Sequence, residues 1–175
     1  MGERYLFRSV IVVSAAIVAL ASITSCRSTR QVGDLYNGTP SRRTPYDGKY
    51  EKVRKYLKDI YTSIRYVPEP EGVDYWQLPE ETVALGSGDC EDMAILLYVR
   101  LKQEGVTPLR LCIGKHSTSA ALMHAWVLWS DGDRQYILDP SVSDTPLLTT
   151  RVPRDHYIPY YSYDGDRKWT HRPAE

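Results

Sequence analysis

The chain has 175 residues, enough for one ordinary domain of about 100 to 150 residues and a short extra segment. With 42% hydrophobic and 25% charged residues it can bury a core, which excludes disorder as its default state. Lys+Arg and Asp+Glu both total 22, so no basic excess supports nucleic-acid binding, and three cysteines are too few for a disulfide framework.

Residues 1–26 read as an address. Arg4 and Arg8 stand against a single Glu3, and an apolar run from Val10 to Ile23 leads to Thr24, Ser25 and Cys26. A positive start, a short apolar run and small residues at a cut site are the layout of a signal peptide, and the run is short of the ~20 residues that span a bilayer. Ile23-Thr24-Ser25-Cys26 resembles a bacterial lipobox, with Ile23 where Leu is usual. The resemblance implies that Cys26 becomes the lipidated first residue of a mature protein held at a membrane outside the cytoplasm. Two or more acyl chains give the lasting anchorage that one does not.

From Arg27 to Gly48 the chain is polar, without apolar period, and is expected to be a flexible tether (residues 27–48) before a domain over 49–175. Val53, Leu57, Ile60, Tyr61 and Ile64 then recur at three- and four-residue steps, predicting an amphipathic helix from Lys49 to Arg65 that ends before Pro68 and Pro70. Val67 to Gly88 reads as loop, broken by Pro79 and by Gly86-Ser87-Gly88. A second helix is predicted from Asp89 to Glu104, with Ala94, Leu97, Tyr98 and Leu101 on one face and Gly105 at its stop. Three short apolar runs follow as strands: Leu109 to Ile113, Met123 to Ser130 and Gln135 to Asp139. Asp131-Gly132 is a hairpin signal between the last two. After Pro140 the chain is rich in Pro, Tyr and Arg, and Tyr157 to Tyr163 is expected to cover an edge of the domain. Helices followed by an antiparallel sheet give an α+β domain with the helices packed on one sheet.

Cys90 opens the second helix behind Gly86-Ser87-Gly88-Asp89. A thiol at a helix start feels the positive end of the dipole, which favours the nucleophilic thiolate, and the glycines let a substrate backbone come close. If Asp131 and Gly132 are the central pair of the hairpin, Ser130 faces Asp133, and His124 faces Asp139 directly across the ladder. Cys90 as nucleophile, His124 as base and Asp139 as orienting acid then form the thiol version of a hydrolytic triad. The backbone N–H of Cys90 is a donor for an oxyanion, and Trp76 and Gln77 are the side chains available for a second. Trp76 is preferred, with the walling of the cleft as its main task. Cys112 is expected in the core, while His116, His156 and His171 are expected in solvent, with His116 the one rival base. No zinc-ligand spacing is present.

The stretch DYWQLPEETVALGSGDCEDMAILLYVRLKQEGV, with HAWVLW and YILDPS after it, resembles the bacterial transglutaminase-like cysteine proteases from Asp74 to Ser141. It is especially similar to the periplasmic calcium-dependent group that trims adhesins from the cell surface. The resemblance implies a papain-like or transglutaminase-like core, with Cys90, His124 and Asp139 on the family triad. It also implies a protein or peptide substrate at the cell envelope and no cofactor in the chemistry itself. In that group acidic residues beside the nucleophile bind Ca²⁺, which assigns Asp89, Glu91 and Asp92 as its ligands here. The alternative from the residues alone is that Asp89 caps the helix, Asp92 completes a capping box and Glu91 complements the dipole. Acyl transfer to an amine through the same thioester, and a non-catalytic binding lipoprotein on the same fold, are the competing functions.

Overall fold

The computed structural model describes residues 29–31, 48–70 and 72–172. The expected leader, residues 1–26, lies outside them, as does most of the span expected to be a tether. Within that span Thr29–Gln31 forms strand β1. Among the described residues no helix is long and apolar enough to cross a membrane.

Helix α1 (Lys49–Ser63) forms where the apolar spacing predicts it, with Val53, Leu57 and Ile60 on its fully buried face. It is followed by β2 (Arg65–Tyr66), which pairs in parallel with β3 (Ser87–Gly88). Between them lies a short helix, α2 (Pro79–Leu85), in a segment expected to be loop. Pro79 starts this helix rather than breaking it, because a first-turn N–H has no intrahelical partner to lose. Glu81 accepts the Leu78 N–H at 2.7 Å, and Gly86, at φ 61°, closes the other end in a left-handed conformation.

Helix α3 (Cys90–Gln103) buries Met93, Ala94, Leu96, Leu97 and Leu101 almost completely. A helix apolar on that much of its circumference belongs in the interior. It lies between α1 and a seven-stranded sheet of order β1-β9-β8-β4-β5-β6-β7. The strands are β4 (Leu109–Ser117), β5 (His124–Asp131), β6 (Arg134–Leu138), β7 (Leu147–Leu148), β8 (His156–Asp164) and β9 (Arg167–Arg172). Leu109, Leu111, Ala125, Val127, Trp129, Tyr136 and Leu138 pack with α3, while Cys112, Trp126, Leu128, Ile137 and Tyr157 form a second cluster. Cys112 is a buried core residue, as expected.

The segment after Pro140 does more than cover an edge. It supplies β8, antiparallel to β4, and β9, antiparallel to β8, with β1 parallel beside β9. Alternation that would have marked two strands is hidden there by tyrosines on both faces. His171 on β9, expected in solvent, is 3% exposed and hydrogen-bonded to Ser162 at 2.8 Å.

The β5–β6 hairpin differs from its expected register. Asp131 pairs with Arg134 and Ser130 with Gln135, so Gly132 and Asp133 are the turn residues rather than Asp131 and Gly132. Gly132 takes φ 56°, the positive value that the turn requires. Moving the turn by one position slides the strands by two, which preserves which face each side chain occupies. Continued past Val127↔Leu138, the ladder puts Asp139 opposite Trp126, and His124 becomes its diagonal neighbour on the same face.

Candidate active site

The chemistry-bearing residues converge where the first turn of α3 meets the start of β5. Cys90 is 8% exposed, and the backbone N–H of Ala125, the residue after His124, is near enough to favour its thiolate. His124 Nε2 lies 2.6 Å from Asp139 Oδ2 across the hairpin. That contact leaves Nδ1 as the ring nitrogen free to exchange a proton elsewhere. The imidazole stacks on Trp126 at 6.1 Å between centroids, which fixes its plane.

Asp139 is 3% exposed and fully engaged. Its Oδ1 accepts the backbone N–H of Ser141 at 3.1 Å and the Ser141 hydroxyl at 2.7 Å. Its Oδ2 accepts the Tyr157 hydroxyl at 3.0 Å beside His124. Burial alone would raise this carboxyl, but the hydrogen bond and charge of His124, with those of Ser141 and Tyr157, outweigh it and hold the group below its ordinary value. A carboxylate ionised in the interior with every lone pair used is suited to orient an imidazole.

The Cys90 thiol has a setting less favourable to ionisation than its helix position implies. Burial pushes the Cys90 thiol up, and the neighbouring Glu91 pushes it further by charge and by accepting the thiol hydrogen at 3.1 Å; only the Ala125 N–H works the other way among the larger effects. Asp89 beside it is itself raised to about 7 by burial and by Glu91.

The three acidic residues near the thiol separate into different tasks. Asp92 is 1% exposed and has both oxygens occupied: Oδ2 accepts the Asp89 N–H at 3.2 Å, as a capping box requires, and Oδ1 accepts the Gln77 N–H at 2.8 Å. Glu91 meets Asp89 and the Cys90 sulfur on one side and Glu69 and Asp74 on the other, with one ligand atom from each residue of either set within 4.8 Å of the others in that set. Asp89 Oδ1 is buried without a partner. Glu69 and Asp74, from the loop before α2, carry no local sequence signal that joins them to Glu91.

The bond from Gln77 to Asp92 ties the loop before α2 to the first turn of α3, placing Trp76 and Gln77 beside the nucleophile helix. Trp76 packs against the core and its Nε1 donates to Asp74 at 2.9 Å, so its one polar hydrogen is committed. The side-chain amide of Gln77 remains as the donor of that loop. His116, on β4, packs edge-on against His124 at 5.5 Å and against Tyr157 at 4.7 Å, and neighbours His156 at 5.6 Å. It is half-buried in the second cluster rather than in a solvated loop, but its described contacts include no carboxylate. Tyr157, Trp126 and Ser141, like Glu69 and Asp74, are residues of this site that sequence reasoning missed. Neither Tyr157 nor Trp126 carries a motif, and Tyr157 lies 18 residues from the carboxylate it touches.

The model of the transglutaminase-like superfamily matches residues 39–140, more than half of the chain, including Cys90, His124 and Asp139. Among solved structures, Legionella pneumophila LapG is similar at 27% identity with a TM-score of 0.57, over 79% of this chain and 73% of that one. Its calcium-bound form gives the same values. Its EGTA-treated form is 26% identical with a TM-score of 0.59, over 82% of this chain and 74% of that one. No curated protein matches the sequence.

Proposed function

The chain belongs to the transglutaminase-like superfamily, and from that footing we propose that it is a cysteine peptidase of the cell envelope, with Cys90 as nucleophile, His124 as base and Asp139 as its orienting acid. The observation that carries the reading is the 2.6 Å His124–Asp139 pair, set at the start of the strand whose Ala125 N–H favours the Cys90 thiolate. In the first step the thiol proton passes to His124, and the sulfur forms a bond to the substrate carbonyl carbon. The backbone N–H of Cys90 and the Gln77 side-chain amide are the donors available to the oxyanion that results. Collapse breaks the C–N bond, the imidazolium proton leaves with the amine, and water attacks the thioester in the second half-reaction. Asp139 holds the ring and its positive charge throughout. The exposed apolar side chains of Tyr66, opposite Gly88, and of Met123, next to His124, suit an extended peptide over a charged small molecule.

Glu69, Asp74 and Glu91 offer an all-oxygen set that fits Ca²⁺, and the unpartnered Asp89 Oδ1 nearby adds to the fit. Bound there, the ion would supply positive charge that offsets the carboxylates opposing the Cys90 thiolate. Calcium-bound LapG supports this reading. Attachment through a lipidated Cys26 places the enzyme at a membrane facing the periplasm or exterior.

The deciding experiment compares envelope proteins from cells with the native chain and with Cys90→Ala, sequencing peptide termini by mass spectrometry. New N-termini that require Cys90 are expected. Cys90-dependent amide cross-links in their place would make the chain an acyl transferase, and no Cys90-dependent product would make it a binding module.

A further inference from the structure

Tyr157 is the one non-glycine residue with positive φ among the described residues, at 50°. For a bulky aromatic side chain that conformation costs on the order of 1–3 kcal/mol and persists only where surrounding packing demands it. Here the side chain it delivers is 5% exposed and ends on a catalytic oxygen: the Tyr157 hydroxyl donates to Asp139 Oδ2 at 3.0 Å, the same oxygen that meets His124.

The local backbone is built around this placement. Strand β8 starts at His156, and its pairing with β4 slips by one residue between Ile113 and Gly114. Gly114 lies opposite His124 on β5, and a Cβ at that position would stand 2.0 Å from the Ile158 carbonyl oxygen and 2.8 Å from the Pro159 Cα. Only a residue without a side chain lets β8 press this closely against the strand beside His124. The Tyr157 ring then fills the space under the site, edge-on to His116 at 4.7 Å and to Trp126 at 5.3 Å. The ring is thus clamped, with its hydroxyl aimed at one atom.

Resting on the triad reading above, we propose that Tyr157 is a positioning residue for catalysis, acting on His124 through Asp139. Two donors on Asp139 Oδ1 from Ser141 fix one end of the carboxylate but leave it able to pivot about that end. The Tyr157 hydroxyl fixes the other end, so that Oδ2 stays on Nε2 and the opposite ring nitrogen is left to take the Cys90 proton. It also takes part of the carboxylate charge, which keeps Asp139 from withdrawing the imidazole proton outright. Tyr157 touches neither substrate nor sulfur in this role.

Tyr157→Phe removes the hydroxyl while keeping the ring, its packing and its backbone. Two readouts separate positioning from scaffolding. The first is the second-order rate of Cys90 alkylation by iodoacetamide at neutral pH, measured for the native chain, Tyr157→Phe, and His124→Ala as the reference for loss of the base. The second is the downfield proton NMR resonance of the His124 N–H bound to Asp139, with a thermal melt to establish folding. A fall of about tenfold or more in alkylation rate, the size expected when a hydrogen bond to a charged group is lost, together with a shifted or broadened resonance, is the expected result. An alkylation rate within twofold of native, or a slower rate with the resonance unmoved, overturns the role of Tyr157. If His124→Ala itself alkylates at the native rate, the triad reading fails first. If Tyr157→Phe does not fold, the same His124 resonance is recorded instead for the native chain carrying 3-fluorotyrosine at position 157. There an unmoved His124 resonance overturns the proposal.

Discussion

Replacing Asp139 by Asn tests the arrangement at its centre, because the outcome follows from counting donors. Four hydrogen-bond donors converge on the two carboxylate oxygens: the Ser141 N–H and O–H on Oδ1, and His124 and the Tyr157 O–H on Oδ2. An asparagine offers one oxygen and one NH₂ in their place. The Ser141 backbone N–H cannot accept, so the amide oxygen is pinned towards Ser141 and the NH₂ faces His124 and Tyr157. The tyrosine hydroxyl can turn to accept. Nε2 of His124 can accept only by moving its proton to Nδ1, which then presents an N–H to Cys90 instead of a lone pair. The base is lost although the shape is kept, and turnover is expected to fall by about 10³ to 10⁴, the size seen when a triad imidazole is held in the wrong tautomer. Stability should change far less. Charge-assisted bonds become neutral ones, a loss of about 1–2 kcal/mol that is partly offset by no longer burying a charge. The pH dependence carries a sign. Native Asp139 is held below its ordinary value, so its stabilisation is complete above about pH 4 and is lost as pH falls through the lowered value; the Asn protein has no such loss, and the stability gap must narrow below pH 4. Release of Cys90-dependent peptide termini and urea melts from pH 3 to 7 provide the measurements. An Asn variant with turnover within threefold of native would refute the tautomer argument and remove Asp139 from the mechanism.

Cys90→Ala is expected to abolish turnover with an unchanged melting temperature, whereas Cys112→Ala, at a fully buried site in the second cluster, should retain turnover and lose about 1–2 kcal/mol in a urea melt; the reverse pattern would exchange their roles. Chelation by EGTA should lower the melting temperature and Ca²⁺ should restore it, with the response abolished in Glu91→Gln; a melt that moves in neither direction refutes the calcium site. Cys26→Ser should release the domain from membranes or leave an unprocessed precursor, and native protein recovered wholly in the soluble fraction would rule out the lipid anchor.

The legible parts of the fold are those fixed by local periodicity. Val53, Leu57 and Ile60 repeat at helical steps, and Cys90 to Leu101 do the same behind a capping aspartate, so both helices were readable to within two residues. The His124–Asp139 pair survived an error in the hairpin turn for a physical reason: a turn moved by one residue slides the ladder by two, and side chains alternate with period two. A ladder slip of one would have put the histidine and the carboxylate on opposite faces. Helix α2 was hidden because Pro79 reads as a breaker unless its first-turn position is known. Strands β8 and β9 were hidden because the place of β8 depends on pairing with β4, some fifty residues earlier, and that of β9 on pairing with β8, and not on their own pattern.

The acidic residues near the nucleophile show why proximity in sequence misleads at a helix start. Asp89, Glu91 and Asp92 are neighbours along the chain, yet they are not one set: a carboxylate oxygen from each of Asp89 and Glu91 lies within 4.8 Å of the other and of the Cys90 sulfur, while Asp92 has other partners. Asp92, three residues after the cap, turns back over the helix end and is consumed by the N–H groups of Asp89 and Gln77. Glu91 stays beside Asp89 and also reaches the loop that carries Glu69 and Asp74. That loop is held in place by the Gln77–Asp92 bond. The capping reading and the metal reading of the acidic stretch therefore do not compete: Asp92 organises the helix start, and in doing so secures the loop whose carboxylates meet Glu91. Loss of the Asp92 carboxylate should accordingly weaken calcium binding without removing a ligand, a dependence that neither reading contains alone.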